Sequence, residues 1–203
     1  MKAKLAVLIS GGGTNLQAII DAIEAGKIKH GQIELVISNR EGAYGLERAK
    51  KHGLKNFLVK RKDFSCQEDF ENRLIALIDE ARIDLIVLAG FMNILSENFV
   101  KHYENRIINI HPSLIPAFSG QGFYGIKVHE AAIKAGVKLS GATVHYVNEL
   151  ADGGKIIAQE AIEVREGDTA QSLQERILKE VEHKLYPRVI EDLSREIVKG
   201  RIK

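Results

Sequence analysis

Cysteine is almost absent: Cys66 is the only one in 203 residues. An internal disulfide is therefore excluded, and the composition fits a reducing compartment. Cys66 lies in the polar run Ser65-Cys66-Gln67-Glu68 with no histidine beside it, and reads as an incidental thiol rather than a nucleophile. Long apolar runs are also missing. None approaches the roughly 18 residues a membrane helix needs. The stretch after Met1-Lys2-Ala3-Lys4 is too short for a signal-peptide core and has no cleavage pattern after it. The expectation is a soluble, cytoplasmic protein without a membrane partner. Charge of one sign is scarce too. The net charge of +2 gives no reason to expect nucleic acid. The one local basic cluster, Lys60-Arg61-Lys62, reads as a solvated loop. No pair among the seven histidines has a metal-ligand spacing with further candidates nearby, so no metal is expected.

What is present is 45% hydrophobic and 28% charged residues, enough for one sizeable core and one domain over 1–203. Short apolar strands are expected at Leu5–Ile9, Ile33–Ile37, Phe57–Val59, Leu85–Ala89 and Ile107–His111. Between them lie helical patterns. Leu16, Ile19, Ile20 and Ile23 recur at three and four within 15–25, and further helices are expected at Tyr44–His52, from Ser65 to Arg82, and at Ser96–Tyr103. Ser65 with Glu68 has the form of a capping box. Strands alternating with helices predict an α/β fold, a doubly wound and mostly parallel sheet with helices on both faces.

After Pro116 the pattern changes. Residues 119–125 are rich in glycine and aromatics and read as a mobile loop, followed by a helix over Ile126–Ala135. Ala142–Val147 and Ile156–Val164 read as one antiparallel hairpin joined through Asp152-Gly153-Gly154. Thr169–Lys199 reads as a long helical stretch with a kink or break at Tyr186-Pro187. The chain thus divides by pattern into two halves, 1–103 and 104–203.

Three motifs carry chemistry. Ser10-Gly11-Gly12-Gly13-Thr14-Asn15 joins the first strand to the first helix. Three glycines exceed what a tight turn requires, and backbone N–H groups at a helix start cradle anions. Leu16 stands where a dinucleotide fingerprint needs its third glycine, the second strand ends in Ser38-Asn39-Arg40 without an acid, and no Gly-Lys-Ser/Thr follows. A phosphate monoester fits better than NAD or a nucleoside triphosphate. Residues 89–95 follow the buried fourth strand at its carboxyl end, where open α/β sheets bind ligands. They are equally compatible with a clamp for a flat heterocycle and with a core strand running into a helix capped at Ser96. The third motif is Asn109-Ile110-His111-Pro112-Ser113 with the later Asp152. Here a strand stopped by proline delivers an amide and an imidazole, and a glycine-flanked turn delivers a carboxylate. Those three groups suit acyl transfer: an oxyanion donor, a proton carrier and a charge that sets the imidazole. His145, seven residues before Asp152, is either packed or in support of it.

On these residues the chain resembles the phosphoribosylglycinamide formyltransferases, the folate-dependent enzymes of purine biosynthesis, over essentially its full length. The likeness rests on Val7–Gly11 through Asn15–Ile19, Gly45–Ala49, Leu88–Met92, Asn109–Leu114 and Asp152–Gly154. The Asn-x-His-Pro-Ser motif with the later Asp belongs to folate formyl enzymes as a group. A strand beginning near Leu5 and a chain ending soon after its last helix favour the glycinamide ribonucleotide enzymes over relatives with an N-terminal regulatory domain or a C-terminal RNA-binding barrel. The resemblance implies a Rossmann-like formyltransferase fold. It implies 10-formyltetrahydrofolate as co-substrate without a metal, and glycinamide ribonucleotide as acceptor. It also implies a monomer or weak homodimer acting on small molecules only. Carried across, Asn109, His111 and Asp152 are catalytic. Gly12, Gly13, Thr14 and Asn15 hold the acceptor's phosphate, and Glu182 contacts the acceptor. Met92, Asn93, Ile94 and Leu95 line the pterin pocket with Asn109. Asn148, Glu149, Leu150 and Ala151 close over it, and Gln67 lies near the folate tail.

Departures from the family pattern are Gln67 where a basic residue is frequent, Asn93 in place of Arg, Ser119 in place of Pro, and a stretch from His111 to Asp152 longer than in some relatives. The same three catalytic groups also suit a 10-formyltetrahydrofolate hydrolase, and the glycine loop alone suits a non-catalytic phosphate-binding module.

Overall fold

A computed structural model describes residues 1–201. Strands β1 (Ala3–Ile9), β2 (Gly31–Ser38), β3 (Asn56–Leu58), β4 (Leu85–Leu88) and β5 (Ile107–His111) pair in parallel, in the order β3-β2-β1-β4-β5. β6 (Leu139–Tyr146) then runs antiparallel to β5, and β7 (Ile156–Glu163) antiparallel to β6. The helices are α1 (Thr14–Glu24), α2 (Tyr44–Lys51), α3 (Gln67–Glu80), α4 (Glu97–His102), α5 (Ile126–Ala135), α6 (Ala170–Arg176) and α7 (His183–Val198).

Strand side chains alternate between faces, and both faces of the parallel strands are covered, which is why these strands read as nearly unbroken apolar runs. Leu5, Val7 and Ile9 of β1 pack with Leu16 and Ile19 of α1 and with Leu185 and Val189 of α7. Ala6 and Leu8, one residue out of phase, pack with Ile86 of β4, Phe70 and Leu74 of α3 and Phe99 of α4. The doubly wound reading is therefore correct, with the antiparallel hairpin where it was expected.

Two local readings are corrected. The cap of α3 is Cys66, not Ser65: the Cys66 sulfur accepts from the Asp69 amide at 3.4 Å, while the Ser65 hydroxyl turns to the Asp69 carboxylate at 2.7 Å. Sulfur fills the role that serine or threonine hydroxyls usually take at this position. In the C-terminal stretch the break falls upstream of Tyr186-Pro187. A π turn, Ile177–Glu182, separates α6 from α7, and Pro187 stands near the start of α7, which runs on past it. Such widened turns recur at functional positions, and this one carries Glu182.

Candidate active site

The chain winds outward from β1 to β3 and returns to β4, so the switch point of the sheet lies between β1 and β4. Ligands of open α/β sheets bind at such a point, beyond the carboxyl ends of the strands. The loops after β1 and β4 meet there: the Met92 amide donates to the Ser10 hydroxyl at 2.8 Å.

After β1, Gly13 takes φ +68 and serves as the N-cap of α1 with no side-chain cap, leaving the first N–H groups of the helix open at 12–15. α2 holds this loop from behind. The Gly45 amide donates to Gly11 O at 3.0 Å, and Arg48 Nε donates to Gly12 O at 2.8 Å. Arg48 also lies over the Tyr44 ring, 4.9 Å from its centroid. A Cβ on Gly13 would stand 2.7 Å from Gly45 Cα, and one on Gly45 would stand 2.3 Å from Ile9 Cδ1, so glycine is required on both sides of the contact. Asn15 and Glu182, far apart in sequence, meet at 2.7 Å with the amide donating. Burial pushes the Glu182 carboxyl up, and the Asn15 hydrogen bond only partly opposes it. A cavity of about 700 Å³ opens beside this loop between α1 and α7, with Thr14, Arg48 and His183 on its wall.

The second cluster lies at the end of β5. Across the antiparallel ladder Asn109 faces His145, and its amide nitrogen lies 3.2 Å from His145 Nε2. His145 Nδ1 donates to Tyr146 O at 2.9 Å, which leaves Nε2 to accept from Asn109 in the neutral ring. Asp152 sits at φ 55 in the turn after β6, between the two histidines. Its Oδ2 is 3.3 Å from His111 Nδ1 and its Oδ1 is 3.6 Å from His145 Nε2. The Gly120 amide donates to Oδ2 at 2.9 Å. Burial works to raise the Asp152 carboxyl. The neighbouring His145, the Gly120 amide and His111 outweigh it, so the group lies below the usual carboxylate range and stays ionised at neutral pH. His111 Nε2 lies 2.9 Å from the carbonyl of Phe118. Each ring nitrogen of His111 thus faces an acceptor, an arrangement that an imidazolium fills with both its N–H groups. The loop expected over 119–125 is fastened to this cluster through Gly120.

A cavity of about 140 Å³ adjoins the cluster, lined by 93–95 from the loop after β4 and by 147–152 from the turn after β6, with Asn109 and His145 at its base. Ile94 and Leu150 are 76% and 63% exposed at its mouth, a concentration of apolar surface that suits a ligand's flat face. Every residue expected to form this pocket lines it except Met92 and Gln67. Met92 contributes its amide to Ser10. Gln67 reaches the rim by donating to Ile94 O at 3.1 Å and to the buried Glu71 at 2.7 Å.

Sequence reading left His145 open and missed His129 and Arg48. His145 touches both Asn109 and Asp152. His129, in the first turns of α5, is 1% exposed, and neither ring nitrogen has a partner among the described residues. Burial, and then the neighbouring charge of His111, push its imidazole down to about 4. Arg48 had a signal, since it belongs to the Gly45–Ala49 segment; the register that places it against Gly12 had none.

A formyl transferase family model matches residues 3–190. The chain is 42% identical over 186 residues to the phosphoribosylglycinamide formyltransferase of Escherichia coli, covering 92% of this chain and 84% of that one. It is 42% identical over 190 residues to the trifunctional purine biosynthetic protein adenosine-3 of Homo sapiens, covering 94% of this chain and 18% of that much longer protein. A solved structure of phosphoribosylglycinamide formyltransferase from Brucella melitensis superposes with a TM-score of 0.87 at 42% identity, covering 96% of each chain.

Proposed function

The chain belongs to the formyl transferase family, and on that basis we propose that it moves the formyl group of 10-formyltetrahydrofolate onto the primary amine of glycinamide ribonucleotide, in purine biosynthesis, with residues 1–203 acting as one catalytic domain. The observation that carries this reading is the convergence of Asn109, His111 and Asp152 at the end of β5, between an open glycine loop and a cavity walled by apolar side chains.

The acceptor's phosphate sits on the open N–H groups at 12–15, where the α1 dipole favours an anion. Glu182 and Asn15, paired next to that loop, take hydrogen bonds from the acceptor's hydroxyl groups. The pterin enters the cavity formed by 93–95 and 148–152. Its volume fits a heterocyclic head, and the groups at its base include the polar side chains of Asn109 and Asp152. Holding both reactants across neighbouring strand ends makes the attack effectively intramolecular, which supplies about 7–11 kcal/mol of the barrier.

The amine nitrogen attacks the formyl carbon, and the carbonyl oxygen gains negative charge. Asn109 has a second amide N–H beyond the one directed at His145, and it donates to that oxygen. His111 contributes positive charge. It donates directly once the formyl oxygen replaces the Phe118 carbonyl at Nε2. The ionised Asp152 holds His111 in place and accepts, through a water, the proton the amine sheds; the same proton then goes to N10 as the C–N10 bond breaks.

Formyl transfer measured with wild-type protein and with Asp152→Asn tests the assignment. The variant is expected to lose at least a hundredfold in kcat while still binding the acceptor. Turnover near the wild-type rate would remove Asp152 from the mechanism.

A further inference from the structure

Glu71 stands in the second turn of α3 and is only 3% exposed. Acids are almost never buried this far without a partner, and a buried carboxylate is costly unless its oxygens are satisfied. Three donors satisfy this one, none of them charged. The Ser96 amide donates to Oε1 at 2.7 Å, and the Gln67 side-chain amide donates to the same oxygen at 2.7 Å. The Ser96 hydroxyl donates to Oε2. Ser96 Oγ in turn accepts from the Phe99 amide at 3.2 Å and so caps α4.

A serine cap needs no carboxylate behind it. What the carboxylate adds is direction. It offers acceptors only, so every group that meets it must donate. The Ser96 hydroxyl hydrogen therefore points at Glu71, and its oxygen remains free to accept from Phe99. The Gln67 NH2 points at Glu71 and at Ile94 O, 3.1 Å away. The loop after β4 is thus tied to α3 at both Ile94 O and Ser96 N. Leu95, between the two ties, is buried in one cluster with Phe70, Leu74 and Phe99. Ile94 is turned outward to the mouth of the 140 Å³ cavity, which residues 93–95 wall on this side.

We propose that Glu71 is a positioning residue for the head of the co-substrate. It does not line the cavity; it holds residues 94–96 in the shape that forms one wall of it. The proposal rests on the folate reading given above. Without Glu71, Ser96 and Gln67 lose their common acceptor and both ties slacken together. Part of the binding energy of the heterocycle is then diverted into ordering the loop. The loss falls on KM for 10-formyltetrahydrofolate. It spares the acceptor, whose phosphate loop is held from α2 by Gly45 and Arg48. It also spares turnover at saturation, because Asn109, His111 and Asp152 lie on other elements.

Steady-state kinetics with both substrates varied tests this in wild type, Glu71→Ala, Glu71→Gln, Ser96→Ala and the Glu71→Ala/Ser96→Ala double variant. Glu71→Ala is expected to raise the folate KM about 10–100-fold, the worth of a hydrogen bond to a charged group. Its kcat and its KM for the acceptor should stay within about threefold of wild type. Glu71→Gln keeps one oxygen for the two N–H donors but meets the Ser96 hydroxyl with an NH2, and should fall between. The double variant should raise the folate KM by less than the product of the two single effects, because both act on one loop. A folate KM unchanged in Glu71→Ala, or both KM values rising together as kcat falls, overturns the proposal and leaves formyl transfer standing. Should Glu71→Ala fail to fold, the same criteria apply to Glu71→Gln. Absence of transfer from 10-formyltetrahydrofolate in wild type overturns the folate reading and the role of Glu71 with it.

Discussion

Acidification from pH 8 to pH 5 is expected to remove about 2 kcal/mol of folding stability through His129 alone. Its imidazole is 1% exposed, has no protein partner at either nitrogen among the described residues, and is held down to about 4 against an ordinary 6.5. The unfolded chain therefore takes up a proton before the folded one does. The stability associated with neutral His129 is complete above 6.5 and is lost as pH falls toward 4, about 3 kcal/mol in full. His183, also pushed down by burial, acts with the same sign. Glu182 acts with the opposite sign, because its carboxyl is pushed up. Asp152, Asp168 and Glu191 lie below their ordinary values and lose their contributions only at still lower pH. Urea unfolding at half-unit steps from pH 8 to 4.5, with wild type and His129→Phe, isolates the term. The variant should be at least as stable as wild type at pH 5 and should lose about 2 kcal/mol less on the way there from pH 8. Should the phenylalanine disturb folding, His129→Gln serves the same purpose. A pH dependence identical in wild type and variant would show that His129 does not carry this loss of stability.

Three further outcomes are expected. Asn109→Ala should lower kcat about 10²–10³-fold, the usual cost of one oxyanion donor, with far less change in acceptor binding; steady-state kinetics checks both. Gly45→Ala drives a methyl to 2.3 Å from Ile9 Cδ1. It should cost about 1–3 kcal/mol in thermal unfolding, the range for overpacking, and should raise KM for the phosphorylated acceptor as the loop is displaced. Glu182→Gln keeps an acceptor for Asn15 without a buried charge. Its stability relative to wild type should rise with pH above the ordinary carboxylate range, as melting curves at pH 5 and pH 8 would show.

The parts of the fold visible in the sequence are those set by local periodicity. The apolar strands, the 3–4 spacing in α1 and the proline after His111 placed the sheet and the end of β5 within a few residues. The glycine loop was visible because three glycines in a row have few other uses. What escaped was fixed by register or by side chains distant in sequence. His145 faces Asn109 only because β6 runs antiparallel to β5 in one register, and nothing near either residue encodes that pairing. The Phe118 carbonyl at His111 and the Gly120 amide at Asp152 are backbone groups, which composition does not distinguish. Cys66 reads as incidental in a polar run with no histidine beside it, yet its sulfur caps α3. The π turn at 177–182 lacks a glycine or proline to announce it.

The central claim is that Asn109, His111 and Asp152 serve transfer between two substrates. Mass spectrometry of a reaction containing the purified protein, glycinamide ribonucleotide and 10-formyltetrahydrofolate tests it most directly. A formylated ribonucleotide is expected to form only when both substrates are present. Free formate released at a rate indifferent to the ribonucleotide would contradict it, and would assign the same three residues to hydrolysis.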